Sequence, residues 1–512
     1  MLPIEHFLRA AVRFPDRIAV KDGATEITYA ELAARTNALA AALQDIDASP
    51  QTRVGICAYN TVEHLIAWLA TFAAGKTWIP LNPRNGKDEL NRICEVTEPS
   101  IIFVDSDCAE LIAYQGAQRI IGKPGNDPGD TPDETDTLAS LIERFDGKKP
   151  AGHDLSLDDV QAIKFTGGSS GQPKGCVQTY RVWNTCVASM LAEFGFDQDD
   201  RNLLAAPMTH GTNTLIMPTF AVGGCQVFMG SPKPPAILDA FEREGVTTVF
   251  LPPTVIYMML EDPKIEQRDF SSLRHLIVGG AAMRPDEIAR AMGIFNNALE
   301  TCYGQTEAPQ IATCLRAEDW SKPENRASTG RATLLTRVEV MDGDGNVLPR
   351  GESGEIVIKG DLVMKGYLDA PEKTKETIID GWLHTGDVGI VDERGFVFIK
   401  DRIRDVVITG GFNVYPSDVE AVLGQHPDVT ECVVFGVPDR KWGEAVTAAV
   451  EVRNGAGATG DDIVAFVKEK LDSVKAPKTI HIVEQLPRSP VGKVLRREAR
   501  DMFRTDDEEH AA

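Results

Sequence analysis

The chain has 512 residues, which is long enough to bury a large hydrophobic core and to divide into more than one domain. Hydrophobic residues make up 43% of it and charged residues 25%, a composition typical of soluble globular proteins. Its 76 acidic residues outnumber its 53 basic residues and give a net charge of −23, which argues against non-specific binding to nucleic acid or to an anionic membrane.

Membrane, secreted and disulfide-rich classes are also disfavoured. No apolar run approaches the roughly eighteen residues that a transmembrane helix needs, and the N-terminal MLPIEHFLRA lacks the regions of a signal peptide. The nine cysteines include no C-x-x-C spacing, so they predict reduced, scattered thiols rather than a zinc site. A cytoplasmic location is therefore expected.

The first part of the chain alternates predicted helices and strands. Thr28 is suited to cap a helix over the residues that follow it, because apolar residues recur there at helical spacing. Buried strands are predicted at 54–60 and 100–106, with a helix through Trp68 and Phe72 between them. Such alternation predicts an α/β fold with a largely parallel sheet covered by helices on both faces.

The glycine-rich stretch KFTGGSSGQPKG, at 164–175, is the most distinctive part of the sequence. Its glycines permit backbone angles closed to other residues and let main-chain N–H groups converge on an anion. Its hydroxyl groups and Lys174 add further donors, so we predict a flexible loop that wraps a polyphosphate. The predicted binding residues are Thr166, Gly167, Gly168, Ser169, Ser170, Gly171 and Lys174.

Three other interpretations of this stretch compete with a phosphate loop. The sequence GGSSG matches the G-x-S-x-G nucleophile elbow, but Pro173 and Gly175 follow where an elbow needs a helix. A P-loop needs a Gly-Lys-Ser/Thr ending, whereas this stretch ends in Pro-Lys-Gly. A flexible linker is also rich in Gly and Ser, but it does not explain why Lys174 stands in an uncharged run after a predicted strand.

Further candidate residues follow predicted strands. His210 lies in a glycine-containing turn after the apolar LLAAP, where it is either a pocket residue or a hydrogen-bonded structural residue. The stretch ETCYGQTE, at 300–307, offers the aromatic face of Tyr303 for a base and the hydroxyl of Thr306 for an anion. Glu307 offers a hard oxygen ligand for a hard cation, unless this stretch is a plain turn with a solvated glutamate.

The last third of the chain adds a second set of candidates. The stretch DGDGN, at 342–346, is followed by no glycine or glutamate at the positions that a calcium loop requires, so it predicts a hairpin turn. Asp387 has the chemistry to accept both ribose hydroxyls, although Thr-Gly-Asp also occurs in plain turns. Beyond Asp401, strand and helix patterns form a compact α/β segment that contains Trp442 and Lys493.

Together these motifs resemble those of the acyl-adenylate-forming superfamily, which includes acyl- and aryl-CoA synthetases, peptide-synthetase adenylation domains and luciferases. The phosphate loop departs from the superfamily form T/S-S-G-T/S-T-G-x-P-K-G only at Gly167. YGQTE matches Y-G-x-T-E, and GWLHTGD at 381–387 is the third match. DRIRD and GGFNVYP together form the fourth, with the forms D/G-R-x-K/R-D and G-G-x-N-V-x-P, and the turn that presents Lys493 is the fifth. Five such motifs occur in the order and approximate spacing of the superfamily, from the N-terminal scaffold to Lys493.

The resemblance implies a role for each matching residue. Tyr303 would stack on adenine, Thr306 would donate to the α-phosphate, and Glu307 would help to hold Mg²⁺. The catalytic set that it implies is Lys493, Thr306, Glu307 and His210, with His210 as the gate of the acyl pocket. The other implied positions are Gly280 and Ala281 at the nucleotide, Asp387 and Arg402 at the ribose or phosphate, Asp401 as a hinge, and Gly410, Gly411 and Trp442 along the path of CoA.

The resemblance implies an AMP-forming carboxylic acid–CoA ligase that uses ATP, Mg²⁺ and CoA. We expect a large N-terminal domain of layered sheets and helices at 1–400 and a small, mobile α+β C-terminal domain at 401–512. Small residues at Gly279, Gly280 and Gly304, with no clear cation for a second carboxylate, favour a hydrophobic monocarboxylate that is aromatic, cyclic or medium-chain. The sequence is compatible with a homodimer but does not predict the oligomeric state.

Three other functions share these motifs. An adenylation enzyme that loads a carrier protein would carry all five, and so would a luciferase-like oxygenase. A non-catalytic nucleotide-binding relative is expected to have lost Lys493 or Glu307, and both are present. An assay of free CoA against a carrier protein separates the ligase from the carrier-loading enzyme.

Overall fold

The structure is a computed structural model that describes residues 1–125, 136–166, 174–230, 232–453, 455, 457–471, 473–488 and 494–503. The chain divides into two compact units. Unit 1 comprises Met1–Gly280, Glu287–Val338 and Ile358–Leu383, and unit 2 comprises Ala281–Asp286, Glu339–Val357 and His384–Ala512. Among the helices of the described residues, none is both long and apolar enough to cross a membrane.

The α-helices are numbered in chain order. They are α1 Ile4–Arg13, α2 Tyr29–Ile46, α3 Val62–Ala73, α4 Lys87–Thr97, α5 Leu138–Arg144, α6 Tyr180–Phe194, α7 Asn213–Val222, α8 Pro234–Glu244, α9 Pro253–Leu260, α10 Pro285–Ile294, α11 Ala317–Trp320, α12 Pro371–Thr377, α13 Pro416–Leu423, α14 Gly460–Lys470 and α15 Arg496–Asp501. Short 3₁₀ helices cover Ser106–Leu111, Ile265–Gln267, Pro323–Asn325 and Ile403–Asp405.

The strands are numbered in the same way. They are β1 Ile18–Asp22, β2 Thr25–Thr28, β3 Arg53–Cys57, β4 Thr77–Leu81, β5 Ile101–Val104, β6 Gln118–Ile121, β7 Val160–Thr166, β8 Lys174–Thr179, β9 Arg201–Leu203, β10 Cys225–Phe228, β11 Thr248–Leu251, β12 His275–Val278, β13 Leu299–Gln305, β14 Ala308–Leu315, β15 Arg331–Ala332, β16 Thr336–Met341, β17 Ser353–Gly360, β18 Gly366–Tyr367, β19 Ile378–Ile379, β20 Trp382–Val391, β21 Val397–Arg402, β22 Val407–Thr409, β23 Phe412–Val414, β24 Val429–Asp439, β25 Gly443–Val452 and β26 Thr479–Val483.

Unit 1 is built on two largely parallel sheets. Sheet I has the order β15-β14-β13-β12-β11-β9-β10-β1-β2, parallel from β13 to β1 and antiparallel at both edges. Sheet II has the order β18-β8-β7-β4-β3-β5-β6, parallel from β7 to β6. Strands β4, β5, β11 and β12 are buried at every residue, as expected of parallel strands covered on both faces. The predicted α/β architecture is confirmed.

An aromatic cluster fixes β4 against the helices α3 and α6. Trp68 and Phe72 of α3, Trp78 of β4 and Trp183 of α6 are all buried, with ring centroids 4.8 to 6.4 Å apart. Most of these pairs meet edge to face, an arrangement that the ring quadrupoles favour. The cluster belongs to the main core of unit 1 and gives β7, which neighbours β4, a rigid base.

Two local predictions from the sequence are confirmed in the structure. Thr28 caps α2 in a capping box, because its side chain accepts from Glu31 N while the Glu31 carboxylate accepts from Thr28 N. The stretch 342–346 forms a turn closed by a bridge between Met341 and Val347, which makes it a hairpin turn.

Unit 2 contains a smaller sheet with its own core. This sheet has the order β23-β22-β25-β24, with β26 parallel to β25 at one side. Its apolar cluster includes Val419 of α13, Val446 of β25 and Val467 of α14. A further sheet, β16-β17-β20-β19 with β21 beside β20, contains the three strands within which the chain passes from one unit to the other.

Candidate active site

One face of the β7–β8 hairpin carries both ends of the predicted phosphate loop. The two strands are antiparallel, and their register places Thr166 opposite Lys174 and Lys164 opposite Cys176. Because side chains alternate along a strand, these four project from the same face. Residues 167–173 lie outside the described residues. They include the predicted Gly167, Gly168, Ser169, Ser170 and Gly171.

Glu307 is fixed beside this face by the short strand β18. The Tyr367 hydroxyl donates a 2.8 Å hydrogen bond to Glu307 Oε1, and Met364 N donates to the Glu307 carbonyl oxygen at 2.7 Å. Strand β18 pairs with β8, and Lys174 Nζ lies 5.5 Å from the Tyr367 ring centroid. Burial and the Glu307 carboxylate raise the pKa of Tyr367 above its usual range, so the phenol remains a donor.

Cys176 lies between Lys174 and Gln178 on β8 and faces the same carboxylate. Burial, with Glu307 alongside, raises the pKa of the Cys176 thiol well above its usual range. The thiol is therefore neutral and is a weak donor toward Glu307 rather than a nucleophile. Glu307 thus has donors on two sides, and its carboxylate is held in a defined position.

Thr306 is held through its backbone by a buried glutamine, Gln178. Gln178 Nε2 donates to the Thr306 carbonyl oxygen at 2.8 Å, and Gln178 Oε1 accepts from Trp183 Nε1 at 3.1 Å. Gln178 is fully buried, so each of these bonds satisfies a group that water does not reach. The two bonds tie the turn after β13 to β8 and α6.

The hairpin β13–β14 presents the YGQTE motif at its turn. Tyr303 pairs with Thr313 in the register of the hairpin and is half-buried. A Cβ atom on Gly304 would lie 2.6 Å from Gln310 N, so the close approach of the two backbones requires glycine. The motif is therefore a strand-to-strand turn, with Tyr303 and Glu307 at its two ends.

His210 lies in the turn between β9 and α7, with its Nδ1 2.9 Å from Thr209 Oγ1. The ring keeps an exposed face, but the surrounding protein removes enough of its hydration to lower its pKa to about 4. The positive charges of Lys164 and Arg84 add to this effect. The imidazole is therefore neutral at pH 7 and does not supply a cation.

Phe250 fills the space beside Gly279 of the predicted acyl pocket and beside Gly211, which follows His210. A Cβ atom on Gly279 would lie 2.6 Å from Phe250 Cε2, and one on Gly211 would lie 2.9 Å from Phe250 Cε1. The room expected beside Gly279 is therefore occupied. Gly280 and Ala281 are exposed after β12, and a Cβ atom on Gly280 would have nothing within 4 Å, although its φ of +88° favours glycine.

In unit 2, Asp387 and Arg402 face each other across β20 and β21. They are partners in the strand register, and Arg402 Nε lies 2.9 Å from Asp387 Oδ1. The aspartate side chain is 6% exposed and the arginine side chain 41%, so the guanidinium covers the carboxylate and faces solvent. The two residues predicted to contact ribose or phosphate thus form one ion pair.

Asp401, the predicted hinge, is buried in a network of charges within unit 2. Its Oδ1 accepts from Arg496 Nη1 at 3.1 Å, and its Oδ2 accepts from Ser417 N at 2.9 Å. Arg496 Nη2 also contacts both carboxylate oxygens of Glu420, at 2.9 and 3.0 Å. Arg496 begins α15, three residues after Lys493, and Lys493 lies outside the described residues.

Gly410 and Gly411 form the turn between β22 and β23, with φ angles of +58° and +82°. Gly410 N donates to the Trp442 carbonyl oxygen at 2.7 Å, and a Cβ atom on Gly410 would lie 3.0 Å from Trp442 Cε3. The indole is 39% exposed, and the ammonium groups of Lys441 and Lys478 lie 4.6 and 5.7 Å from its ring centroid. The three residues predicted along the path of CoA are therefore neighbours.

Motif matching did not identify the supporting residues of this site. They are Lys164, Cys176, Gln178, Trp183 and Tyr367. One signal was present in the sequence, because the alternation Lys-x-Cys-x-Gln at 174–178 places three polar or reactive side chains on one face of a strand. No comparable signal marks Tyr367, which reaches Glu307 only through the pairing of β18 with β8.

The amino-acid sequence matches two protein-family models. The model of the AMP-binding enzyme family matches residues 7–368, and that of the AMP-binding enzyme C-terminal domain matches residues 418–493. A feruloyl-CoA synthase from Amycolatopsis sp is 36% identical over 503 residues, which cover 97% of this chain and 98% of the relative. A medium/long-chain-fatty-acid–CoA ligase from Mycobacterium tuberculosis is 33% identical and covers 94% of this chain and 86% of its own length.

The fold also matches solved structures. The amide bond synthetase McbA from Marinactinospora thermotolerans superposes with a TM-score of 0.87 and 28% identity, covering 98% of this chain and 100% of its own. These findings confirm the resemblance inferred from the motifs, the mixed α/β fold and the enzyme class. With its main part and its C-terminal part each matched, the chain belongs to the AMP-binding enzyme family.

Proposed function

We propose that this chain is an AMP-forming carboxylic acid–CoA ligase that activates a hydrophobic monocarboxylate with an aromatic, cyclic or medium-chain body. The observation that carries the proposal is the gathering of four predicted ATP-binding residues at one face of the β7–β8 hairpin. They are Thr166, Lys174, Thr306 and Glu307. Two hydroxyls, an ammonium and a carboxylate are the groups that a nucleoside triphosphate and its metal require.

In the first half-reaction, the substrate carboxylate attacks the α-phosphate of ATP and displaces pyrophosphate. A carboxylate is already ionised at neutral pH, so the enzyme has no proton to remove. Its task is to hold two anions together and to stabilise the charge that develops between them. Lys174 would act on the β- and γ-phosphates, and Thr306 and Lys493 would act at the α-phosphate.

Mg²⁺ fits this site on the chemistry of its donors. Glu307 is one carboxylate beside the predicted phosphate site, and Mg²⁺ is commonly held by one or two carboxylates together with substrate phosphates and water. Within the described residues, no cluster of three or more His, Cys, Asp or Glu side chains forms a closed metal cage. Bound there, Mg²⁺ would neutralise phosphate charge, and the Tyr367 hydroxyl would orient the Glu307 carboxylate.

In the second half-reaction, the CoA thiol attacks the acyl carbon and AMP leaves. The exposed Trp442 indole beside Gly410 and Gly411 suits an apolar contact, and Lys441 and Lys478 suit a phosphate-bearing partner. Asp387, with Arg402 as its partner, would accept the ribose hydroxyls of the nucleotide. The acceptor is proposed to be CoA rather than a carrier protein or an amine.

The test separates activation of the acid from the choice of acceptor. Pyrophosphate release is measured with Mg²⁺-ATP and a panel of aromatic, cyclic and medium-chain acids, and each active acid is then incubated with CoA, with a carrier protein or with an amine. We expect pyrophosphate release to depend on the acid, and thioester to form with free CoA. If product forms only with the carrier protein or only with the amine, that compound and not CoA is the acceptor. If no acid causes pyrophosphate release, the proposal is overturned.

A further inference from the structure

Lys164 is a cation inside unit 1 that begins the glycine-rich stretch 164–175 but lies outside the matched motif, which starts at Thr166. It lies on β7, two residues before Thr166, and faces Cys176 across the hairpin. Its Nζ lies 5.4 Å from the ring centroid of Trp78 and 5.5 Å from that of Trp183. The side chain is half-buried, so its ammonium group has lost much of its hydration without being sealed in the core.

The Lys164 ammonium has no anionic partner in the described part of the chain. The ionisable neighbours that act on it there are the thiols of Cys176 and Cys186, and no carboxylate is among them. Indole faces compensate a desolvated cation only in part, and a buried charge without an anion is costly to retain. A cation in this condition beside a ligand site is a candidate for binding the ligand.

The position of Lys164 is at the junction of the two proposed substrate sites. Thr166, on the same strand face, begins the phosphate loop, and the charge of Lys164 helps to lower the pKa of His210 at the proposed acyl pocket. His210 itself is neutral at pH 7, so it does not compensate the lysine. Lys164 and Arg84 are the two cations that act on His210. Of these two, Lys164 is half-buried and Arg84 is exposed.

We propose that Lys164 is a specificity-determining residue that binds an oxygen acceptor on the acid substrate, remote from the reacting carboxylate. A second carboxylate, a phenolate or a keto oxygen would supply the missing partner of the ammonium. The inference rests on the proposed function and changes its substrate class to acids with an apolar body and a second oxygen group. Where that group is a carboxylate, the substrate is a dicarboxylate instead of a monocarboxylate. The inference also assigns Lys164 as a cation for such a group, which the sequence alone did not identify.

The test compares matched acids that differ in one oxygen group. The pairs are octanoate with octanedioate, cyclohexanecarboxylate with 4-oxocyclohexanecarboxylate, and cinnamate with 4-hydroxycinnamate. In the wild type, at least one oxygenated acid should exceed its partner in kcat/KM by about 10-fold or more, as a hydrogen bond to a charged group predicts. Lys164→Met should remove this preference by lowering kcat/KM for the oxygenated acid, and Lys164→Arg should retain part of it.

The matched control is Lys359→Met. Lys359 Nζ also lies 5.4 Å from an indole centroid, that of Trp382, but it donates to the Asp380 carbonyl oxygen. This variant should leave the ratio between paired acids unchanged. Thermal unfolding of every variant shows whether the fold is intact, and the wild-type ratios test the proposal even if Lys164→Met does not fold.

The pH profile gives an independent readout on the wild type. Burial lowers the pKa of Lys164 to about 8, while the pKa of Cys186 is raised to about 12 and that of His210 lowered to about 4. Cys176 also stays a neutral thiol. Of these groups only Lys164 changes charge between pH 7 and 9, so KM for the preferred oxygenated acid should rise across this range, and should stay flat in Lys164→Arg.

The outcomes separate this inference from the proposed function. Equal loss for both members of each pair in Lys164→Met would overturn the inference, because the lysine would then act on the reacting carboxylate or on the fold. A wild type without preference for any oxygenated acid would overturn it as well, while CoA thioester formation would still support the ligase. Absence of pyrophosphate release with every acid would instead contradict the proposed function itself.

Discussion

At the scale of single residues, Glu307 shows how the proposed site orients a carboxylate. The Tyr367 hydroxyl and the Cys176 thiol are both kept protonated by their surroundings, so each can donate to Glu307 and neither competes with it as an anion. The motif alone identified Glu307. The donors that orient it could not be predicted, because they depend on the register of β18 against β8.

The proposal that Lys174 contacts ATP and not the acid substrate can be tested by substitution. Its ammonium lies by the Tyr367 ring next to Thr166, where it would contact phosphate and nothing organic. Lys174→Ala should raise the apparent KM for ATP by roughly 10- to 100-fold, the range for a lost hydrogen bond to a charged group. The KM for the acid should change little, and both constants follow from initial rates of pyrophosphate release.

A suitable control for this variant is Lys373→Ala. Lys373 is an exposed lysine that pairs with Glu376 within α12, and its removal should alter neither constant. An equal rise of both KM values in Lys174→Ala would contradict the assignment of this lysine to the phosphates.

At the scale of elements, the β7–β8 hairpin organises the proposed nucleotide site. It supplies Thr166 and Lys174 directly, and through Gln178 it also fixes the turn that presents Thr306. Sequence patterns predicted the strand before the loop and the loop itself, since a short apolar run precedes a cluster of glycines, but they did not predict β8. They did not predict the cross-links, because the partner of a buried glutamine is set by packing between distant segments.

The link from β8 to the Thr306 turn can be tested by substitution of two buried glutamines. Gln178→Leu would leave the Thr306 carbonyl oxygen and Trp183 Nε1 without their partner, at a cost of about 1–3 kcal/mol each. It should lower the free energy of unfolding and, by releasing the Thr306 turn, raise the KM for ATP. Urea unfolding and initial-rate kinetics measure the two effects.

Gln161 on β7 is the matched control for Gln178. It is equally buried, but neither polar atom of its side chain has a hydrogen-bond partner in the described part of the chain. Gln161→Leu should therefore leave stability unchanged or raise it, because it removes an unsatisfied amide. A similar loss of stability in both variants would show that the bridge from Gln178 to Thr306 has no special role.

At the scale of the whole molecule, the residues proposed for catalysis are distributed over two units. Unit 1 carries the phosphate-binding face, while unit 2 carries Asp387, Arg402, Gly411 and Trp442. The sequence motifs predict Arg402, Gly411 and Trp442 in the C-terminal domain but Asp387 in the N-terminal domain. The boundary is less simple than a cut near residue 400, because the chain passes between the units within β16, β17 and β20.

The proposal of two half-reactions predicts variants that separate them. Lys493→Ala should slow acyl-AMP formation by roughly 10²- to 10³-fold, as loss of one preorganised charge-stabilising group does. It should leave thioester formation from supplied acyl-AMP and CoA nearly intact. Gly411→Trp should do the opposite by obstructing the path of the thiol. Pyrophosphate release and thioester formation are assayed separately for each variant.

Gly411→Trp places a side chain on a left-handed backbone position, and the effect of that strain needs its own control. Gly411 and Gly455 have the same φ of +82°, and a Cβ atom on either would meet nothing within 4 Å. Gly455 follows the far end of β25, whereas Gly411 lies near its beginning, beside Trp442. Gly455→Trp should therefore affect neither half-reaction, and a Lys493→Ala variant that slows both would refute the separation.

Trp442 also gives unit 2 its own optical signal. The six tryptophans of the chain include four that are buried in unit 1, Trp68, Trp78, Trp183 and Trp320, and the sequence of unit 2 holds Trp442 alone. An indole that is 39% exposed emits at longer wavelength than buried indoles and is open to quenchers in solution. Emission at the red edge of the spectrum therefore comes mainly from exposed indole, so the proposed binding of CoA at the Gly410 turn should appear as quenching without any turnover.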